Sequence, residues 1–136
     1  MFQAAGGALN FTAILIPTLM ALYYGFRCLV QTDKAIAEWG IGPAAEQMVK
    51  VAGAYALAQG VMYAVILLTS PAGAWELFAF STIWSVVFLY IAIQTNNSEW
   101  SKIDGVNASN EPIIVSAVML ALHIYIMATM SDIIYA

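Results

Sequence analysis

The sequence predicts an all-α, polytopic membrane protein whose four transmembrane helices form an up-down bundle in a single domain. Of its 136 residues, 62% are hydrophobic and only 9% are charged, whereas a soluble domain has about 25% charged residues. The four basic and eight acidic residues all fall in or beside the gaps and ends of four apolar stretches. Each stretch has about 18–23 residues, which matches the ~20 residues that a helix needs to cross a bilayer.

The first predicted span covers residues 9–30 and contains Pro17 near its middle. Proline removes a backbone donor, which a membrane helix tolerates where Ser, Thr or a neighbouring helix satisfies the freed carbonyl. Thr18 is placed to do this, and a bend is expected at Pro17. In the connection that follows, 31–46, the pattern from Thr32 to Ala35 is typical of a helix cap. A short interfacial helix is therefore expected there.

The second span covers residues 47–68 and contains small residues at every fourth position: Ala52, Ala56, Gly60 and Ala64. This spacing forms a ridge that lets another helix approach closely. The ridge is either a packing face within the bundle or a contact with another copy or subunit. The segment 69–74 contains Pro71 and Gly73 and is expected to be a tight turn. The second and third spans are therefore predicted to be antiparallel neighbours.

The third span covers residues 75–94 and begins with Trp75 and Glu76, an acidic residue that the positive end of the helix dipole favours. Residues 95–111 form the one long hydrophilic stretch, which predicts a loop at the membrane surface. The fourth span covers residues 112–134 and begins with Pro112, at the position in a helix that proline prefers.

The positions of the basic residues predict the orientation. Arg27, Lys34, Lys50 and Lys102 all fall on the side of the membrane that contains the first and third connections. Because short loops rich in Lys and Arg stay in the cytoplasm, both termini are predicted on the outer side. The expected location is a bacterial inner membrane or an organelle membrane.

Composition excludes several functional classes. A net charge of −4 with four basic residues excludes a nucleic-acid-binding face. The single cysteine, Cys28, excludes an internal disulfide and a zinc site made of thiolates. The sequence has no Ser/His/Asp spacing, no Gly-rich phosphate loop and no carboxylate cluster within a span. No enzyme activity is therefore expected.

Four polar residues are predicted to share one layer at the middle of the bilayer: Thr18, Gln59, Ser85 and His123. Polar residues at this depth are costly and are therefore candidates for function. They form either a layer of hydrogen bonds between helices or a cofactor-binding site centred on His123. The cofactor is not determined by the sequence.

The single histidine limits the cofactors that this layer could hold. A haem with two histidine ligands is excluded within one chain, whereas a magnesium-centred pigment needs only one axial ligand. Met119, His123 and Met127 recur on one helix face, and thioether with imidazole suits Cu(I). Ligands along one straight helix do not converge on an ion without neighbours such as Met62, so no metal site is predicted.

Three runs of sequence resemble the DoxX-like group of small four-helix bacterial membrane proteins: ALYYGFR at residues 21–27, EWGI at 38–41 and KVAGAYALAQG at 50–60. The resemblance lies in their layout and covers residues 1–95. It implies a first helix that ends in a short amphipathic loop and a second helix rich in small residues. It also implies a link, known for some members, to quinol oxidation or thiosulfate metabolism. The long third loop and His123 depart from the pattern.

The leading functional hypothesis is a small non-catalytic membrane subunit, an accessory or scaffold component of a larger complex. Its expected partners are the lipid bilayer and other membrane subunits or further copies of itself. One alternative is a ligand-binding or redox-associated protein that holds a quinone, pigment or lipid near Gln59 and His123. A small proton-coupled carrier is a third hypothesis.

Overall fold

The computed structural model describes residues 3–136, which form helices and connections without a strand in that range. The helices are α1 (Ala8–Val30), α2 (Thr32–Trp39), α3 (Glu46–Leu68), α4 (Trp75–Asn96), α5 (Glu111–Thr129) and α6 (Ser131–Ile134). Two 3-10 turns, Pro43–Ala45 and Glu99–Lys102, precede α3 and follow α4. Helices α1, α3, α4 and α5 are long and apolar enough to cross a membrane. The predicted all-helical chain with four such helices is confirmed.

The fourth long helix is shorter than the predicted span 112–134. Helix α5 ends at Thr129, and the chain turns at Met130 before the short helix α6. Met130 and Ile134 are almost completely buried, in one apolar cluster with Ala5 and Ala13. The last residues therefore fold over the end of the bundle, because burial against the start of α1 replaces continuation of the helix.

Neighbouring long helices run antiparallel. Helix α1 packs most closely on α3, α4 packs on α5, and α1 also contacts α5. The expected contact between the second and third spans exists, but large side chains make it. The ring centres of Tyr63 and Phe78 are 5.9 Å apart, and those of Tyr55 and Trp84 are 4.5 Å apart. The α3 and α4 backbones are consequently farther apart than those of α1 and α3.

Glycine residues permit the close approach of α1 and α3. A Cβ atom at Gly25 would lie 2.7 Å from the backbone of Leu57, and one at Gly60 would lie 2.8 Å from the backbone nitrogen of Leu22. Such distances are too short for carbon atoms, so any side chain would push the helices apart. The contact follows the small-residue logic of helix packing in membranes.

The connections 31–45 and 97–110 lie together at one end of the bundle, called here the loop end; the opposite end contains the turn 69–74. Gly40 ends α2 with a left-handed φ of 65°, and a Cβ there would collide with the carbonyl oxygen of Gly105. The backbone N–H of Asn107 donates to the Trp39 carbonyl at 3.1 Å. The two long connections are therefore hydrogen-bonded to each other.

The predicted short helix is present as α2, but the expected cap at its start is wrong. The Thr32 hydroxyl donates to the carbonyl of Cys28 at 2.6 Å, and no side chain caps the start of α2. Only Gln31 separates α1 from α2. Thr32 therefore satisfies a free carbonyl at the end of the preceding helix instead of an N–H group of its own.

Candidate functional site

A hydrogen-bonded network of side chains joins α3, α4 and α5 at mid-height in the bundle. The Nε2 atom of His123 lies 2.7 Å from the hydroxyl of Tyr63, and its Nδ1 atom lies 3.2 Å from the hydroxyl of Ser85. The amide nitrogen of Gln59 donates to the Tyr63 hydroxyl at 3.1 Å and to the Ser81 hydroxyl at 2.9 Å. We call these five residues the His123 network.

Three of the four residues that the sequence assigns to the polar layer lie in this network: Gln59, Ser85 and His123. Thr18 does not, since its hydroxyl donates at 2.7 Å to the carbonyl of Ile14 in its own helix. A Thr hydroxyl on a helix commonly takes this local bond, which removes it from contacts between helices.

Sequence reasoning missed Tyr63 and Ser81. Tyr63 follows Gln59 by four residues, and Ser81 precedes Ser85 by four, so each pair shares one helix face. The four-residue spacing was the sequence signal that could have identified Tyr63 and Ser81. A search restricted to residues at the midpoint of each span does not find the members one turn away.

The donor count in the network favours one position for the imidazole proton of His123. The Ser85 hydroxyl donates its only proton to the carbonyl of Ser81 at 2.8 Å, so towards Nδ1 it can only accept. The arrangement that satisfies this bond has the imidazole proton on Nδ1. Nε2 is then the acceptor for the Tyr63 hydroxyl, which in turn accepts from Gln59. In this arrangement both nitrogens of a neutral His123 imidazole are hydrogen-bonded.

The network ends on backbone carbonyls. Ser85 donates to the Ser81 carbonyl, and the Ser81 hydroxyl donates to the Leu77 carbonyl at 2.7 Å. A peptide carbonyl accepts a hydrogen bond but does not take up a proton at ordinary pH. The network therefore links three helices and ends on groups that do not titrate at ordinary pH.

The centre of the network is closed. Tyr63, Ser81 and His123 are fully buried and Ser85 is 4% exposed, while Phe78 stacks on the Tyr63 ring at an interplanar angle of 12°. A ligand atom bound to His123 would have to displace Tyr63 or Ser85. Among residues 3–136 there is also no group of three His, Cys, Asp or Glu side chains that could hold a metal ion.

No family model, curated protein or solved structure matches the chain. The DoxX-like resemblance therefore stays a prediction.

The predicted small-residue ridge is only partly at the contact between helices. Its members are Ala52, which is exposed, Ala56 and Ala64, which are half-buried, and Gly60, which is buried against α1. Gly53, outside the predicted ridge, also lies at this contact, where a Cβ would come within 2.5 Å of the Cys28 side chain. The face towards α1 is thus rotated from the predicted ridge.

A second polar cluster, centred on Arg27, lies at the loop end. The Arg27 side chain is 12% exposed, forms an ion pair with Glu38 and lies 4.0 Å from Glu111. Its guanidinium also lies 5.2 Å from the centre of the Trp39 ring, a cation–π distance. The Tyr24 hydroxyl donates to Glu111. The cluster therefore connects α1 with α2 and with the start of α5.

Proposed function

We propose that the chain is a small non-catalytic integral membrane subunit, an accessory or scaffold component of a larger membrane complex. In this proposal the four long helices cross the bilayer alternately up and down. The observation that supports it most directly is an unsatisfied aromatic pair at mid-height on the surface formed by α3 and α4.

Trp84 lies at the middle of α4 and is 41% exposed. Its indole N–H has no hydrogen-bond partner within residues 3–136. Tryptophan in membrane proteins is enriched at the two interfaces, where water or headgroups accept its N–H; hydrocarbon offers no such acceptor. Beside it, the enclosed hydroxyl of Tyr55 is the one buried side-chain polar atom of the described residues without a partner. In this proposal a hydrogen-bond acceptor on a neighbouring subunit receives the indole N–H of Trp84 at this depth.

The His123 network supports the non-catalytic part of the proposal. Both His123 nitrogens are engaged, and the network ends on the carbonyls of Ser81 and Leu77. A quinone or pigment at His123 would break these bonds, and a proton carrier would need a group at the end that accepts a proton. The polar residues of the His123 network are therefore better explained by the hydrogen bonds that they form between helices, which are common in membrane bundles.

Native mass measurement of the complex in mild detergent tests the proposal. The wild-type protein from its own membrane should have a mass above that of one chain. Trp84→Phe keeps the ring and removes the N–H, so it should shift the protein to one chain. Trp75→Phe is the matched control, because Trp75 is also 41% exposed but lies at the first residue of α4, near water. A stable wild-type monomer, or equal behaviour of the two variants, contradicts the proposal.

We further propose that both termini lie on the outer side of a bacterial inner or organelle membrane. The basis is that Arg27, Lys34, Lys50 and Lys102 all lie at the loop end, which positive-inside bias places in the cytoplasm or its organelle equivalent. Labelling of single engineered cysteines tests this: Ser70→Cys should react with an impermeant maleimide from outside, and Ser101→Cys only after lysis. Native Cys28 is buried and gives a low background.

A further inference from the structure

Two adjoining open cavities lie at the loop end, where α2 faces the start of α3. One has a volume of about 460 Å³ and is lined by residues of α2, the following turn and Glu46. The other has a volume of about 550 Å³ and extends along α3. Pro43 and Glu46 line both cavities. Together they form one continuous groove, called here the α2–α3 groove.

The groove has a fixed order of charge along its length. Asp33 lines only the cavity beside α2, Glu46 lines both cavities, and Lys50, one helical turn further along α3, lines only the second cavity. The Lys50 ammonium lies 2.5 Å from a Glu46 oxygen, and the charge of Asp33 also acts on Lys50. Two carboxylates and one ammonium leave the groove with a net negative charge.

Below Lys50 the groove becomes apolar. Val51 and Ala54 line its inner end, and both are exposed on the outer face of α3. Ala58 continues this face one turn deeper and is exposed as well. Ala54 and Ala58 have only a methyl side chain, so this face, called here the apolar trough, is open to an acyl chain that lies along the helix.

We propose that the α2–α3 groove binds a phospholipid whose headgroup ends in a primary ammonium, as in phosphatidylethanolamine. The order of groups in the lipid is ammonium, phosphate, acyl chain, and the groove presents carboxylates, lysine and an apolar trough in the same order. The Glu46–Lys50 ion pair presents a negative and a positive group side by side, as the ammonium and phosphate of this zwitterionic headgroup do. The inference needs only that the chain lies in a bilayer and does not depend on a partner at Trp84.

The chemistry of the groove discriminates against other common lipids. A primary ammonium has three N–H donors for the Asp33 and Glu46 carboxylates. The quaternary ammonium of choline has none, and its usual recognition by aromatic rings is not offered by the residues that line the groove. An anionic headgroup meets two carboxylates and only one lysine, so it is repelled.

Native mass spectrometry of delipidated protein tests the proposal with an equimolar mixture of dioleoyl phosphatidylethanolamine, phosphatidylcholine and phosphatidylglycerol. The ethanolamine lipid should be retained roughly tenfold more than either other lipid, the ratio expected from one charge-assisted hydrogen bond. The double variant Asp33→Asn/Glu46→Gln should lose this preference. Equal retention of the three lipids by wild type, or an unchanged preference in the double variant, overturns the proposal.

Three further measurements in the same assay test whether the lipid binds in the groove. Glu99→Gln is the matched control, because Glu99 also lies 2.5 Å from a lysine, Lys102, but outside the groove; the preference should be unchanged. Ala54→Phe places a ring in the trough and should lower retention of all three lipids. Glycerophosphoethanolamine, which has the headgroup without acyl chains, should not displace the lipid. Retention unaffected by Ala54→Phe, or displacement by this soluble headgroup, contradicts a lipid site in the groove.

Discussion

Replacing Tyr63 by Phe tests whether the His123 network holds the helices together. The substitution keeps the ring that stacks on Phe78 and removes the hydroxyl that donates to His123 Nε2 and accepts from Gln59. Neither tautomer of His123 can then satisfy both nitrogens, because Ser85 can serve only one of them. The fully buried Nε2 is left without a partner.

The expected decrease in the free energy of unfolding follows from the hydrogen bonds that Tyr63→Phe removes. Hydrogen bonds between helices in a membrane average ~0.6 kcal/mol, with a maximum near 1.7, and a buried group left unsatisfied costs about 1–3 kcal/mol. Gln59 keeps its bond to Ser81, so most of the loss lies at His123. We therefore expect Tyr63→Phe to lower the free energy of unfolding by about 1–2 kcal/mol.

Reversible unfolding by SDS in mixed micelles, followed by circular dichroism, measures this free energy. Tyr90→Phe is the matched control, because the Tyr90 hydroxyl also accepts from a glutamine, Gln94, but lies on a side chain that is 60% exposed. Its effect should be close to zero. If Tyr63→Phe costs no more than Tyr90→Phe, the network does not stabilise the bundle and the reasoning is wrong.

Three other predictions concern the His123 network, the α1–α3 contact and the Arg27 cluster. Nitrogen-15 NMR should show the Nδ1–H tautomer of neutral His123, and a proton on Nε2 would refute the donor count. Gly25→Ala should lower the free energy of unfolding by about 1–3 kcal/mol, as overpacking does, because the new Cβ lies 2.7 Å from the Leu57 backbone. The control Ala58→Val, on the exposed face of α3, should change the midpoint of SDS unfolding little. Arg27→Gln should lower the free energy of unfolding by about 1.5–3 kcal/mol, because the charged contacts of Arg27 are lost. It should also speed proteolysis of the loop end. An unchanged cleavage rate would show that the Arg27 cluster does not hold the connections together.

The candidate site was only partly accessible from the sequence. Depth can be counted along a helix, so the sequence was enough to place Gln59, Ser85 and His123 at one level. The direction in which a side chain points cannot be counted in the same way. Thr18 has the right depth but bonds to its own helix, and Tyr63, one turn from Gln59, reaches the layer because its side chain is long.

The sequence alone determined the number, type and approximate bounds of the long helices, because transfer of a segment into hydrocarbon depends on its length and apolar composition, which are local properties. Only the tertiary structure decided how each helix is rotated about its axis. Helices α3 and α4 are apolar on nearly every side, so no hydrophobic stripe marks the face that packs inward. That face was fixed by close contact at Gly25 and Gly60 and by the bonds around His123, which depend on residues far apart in the chain.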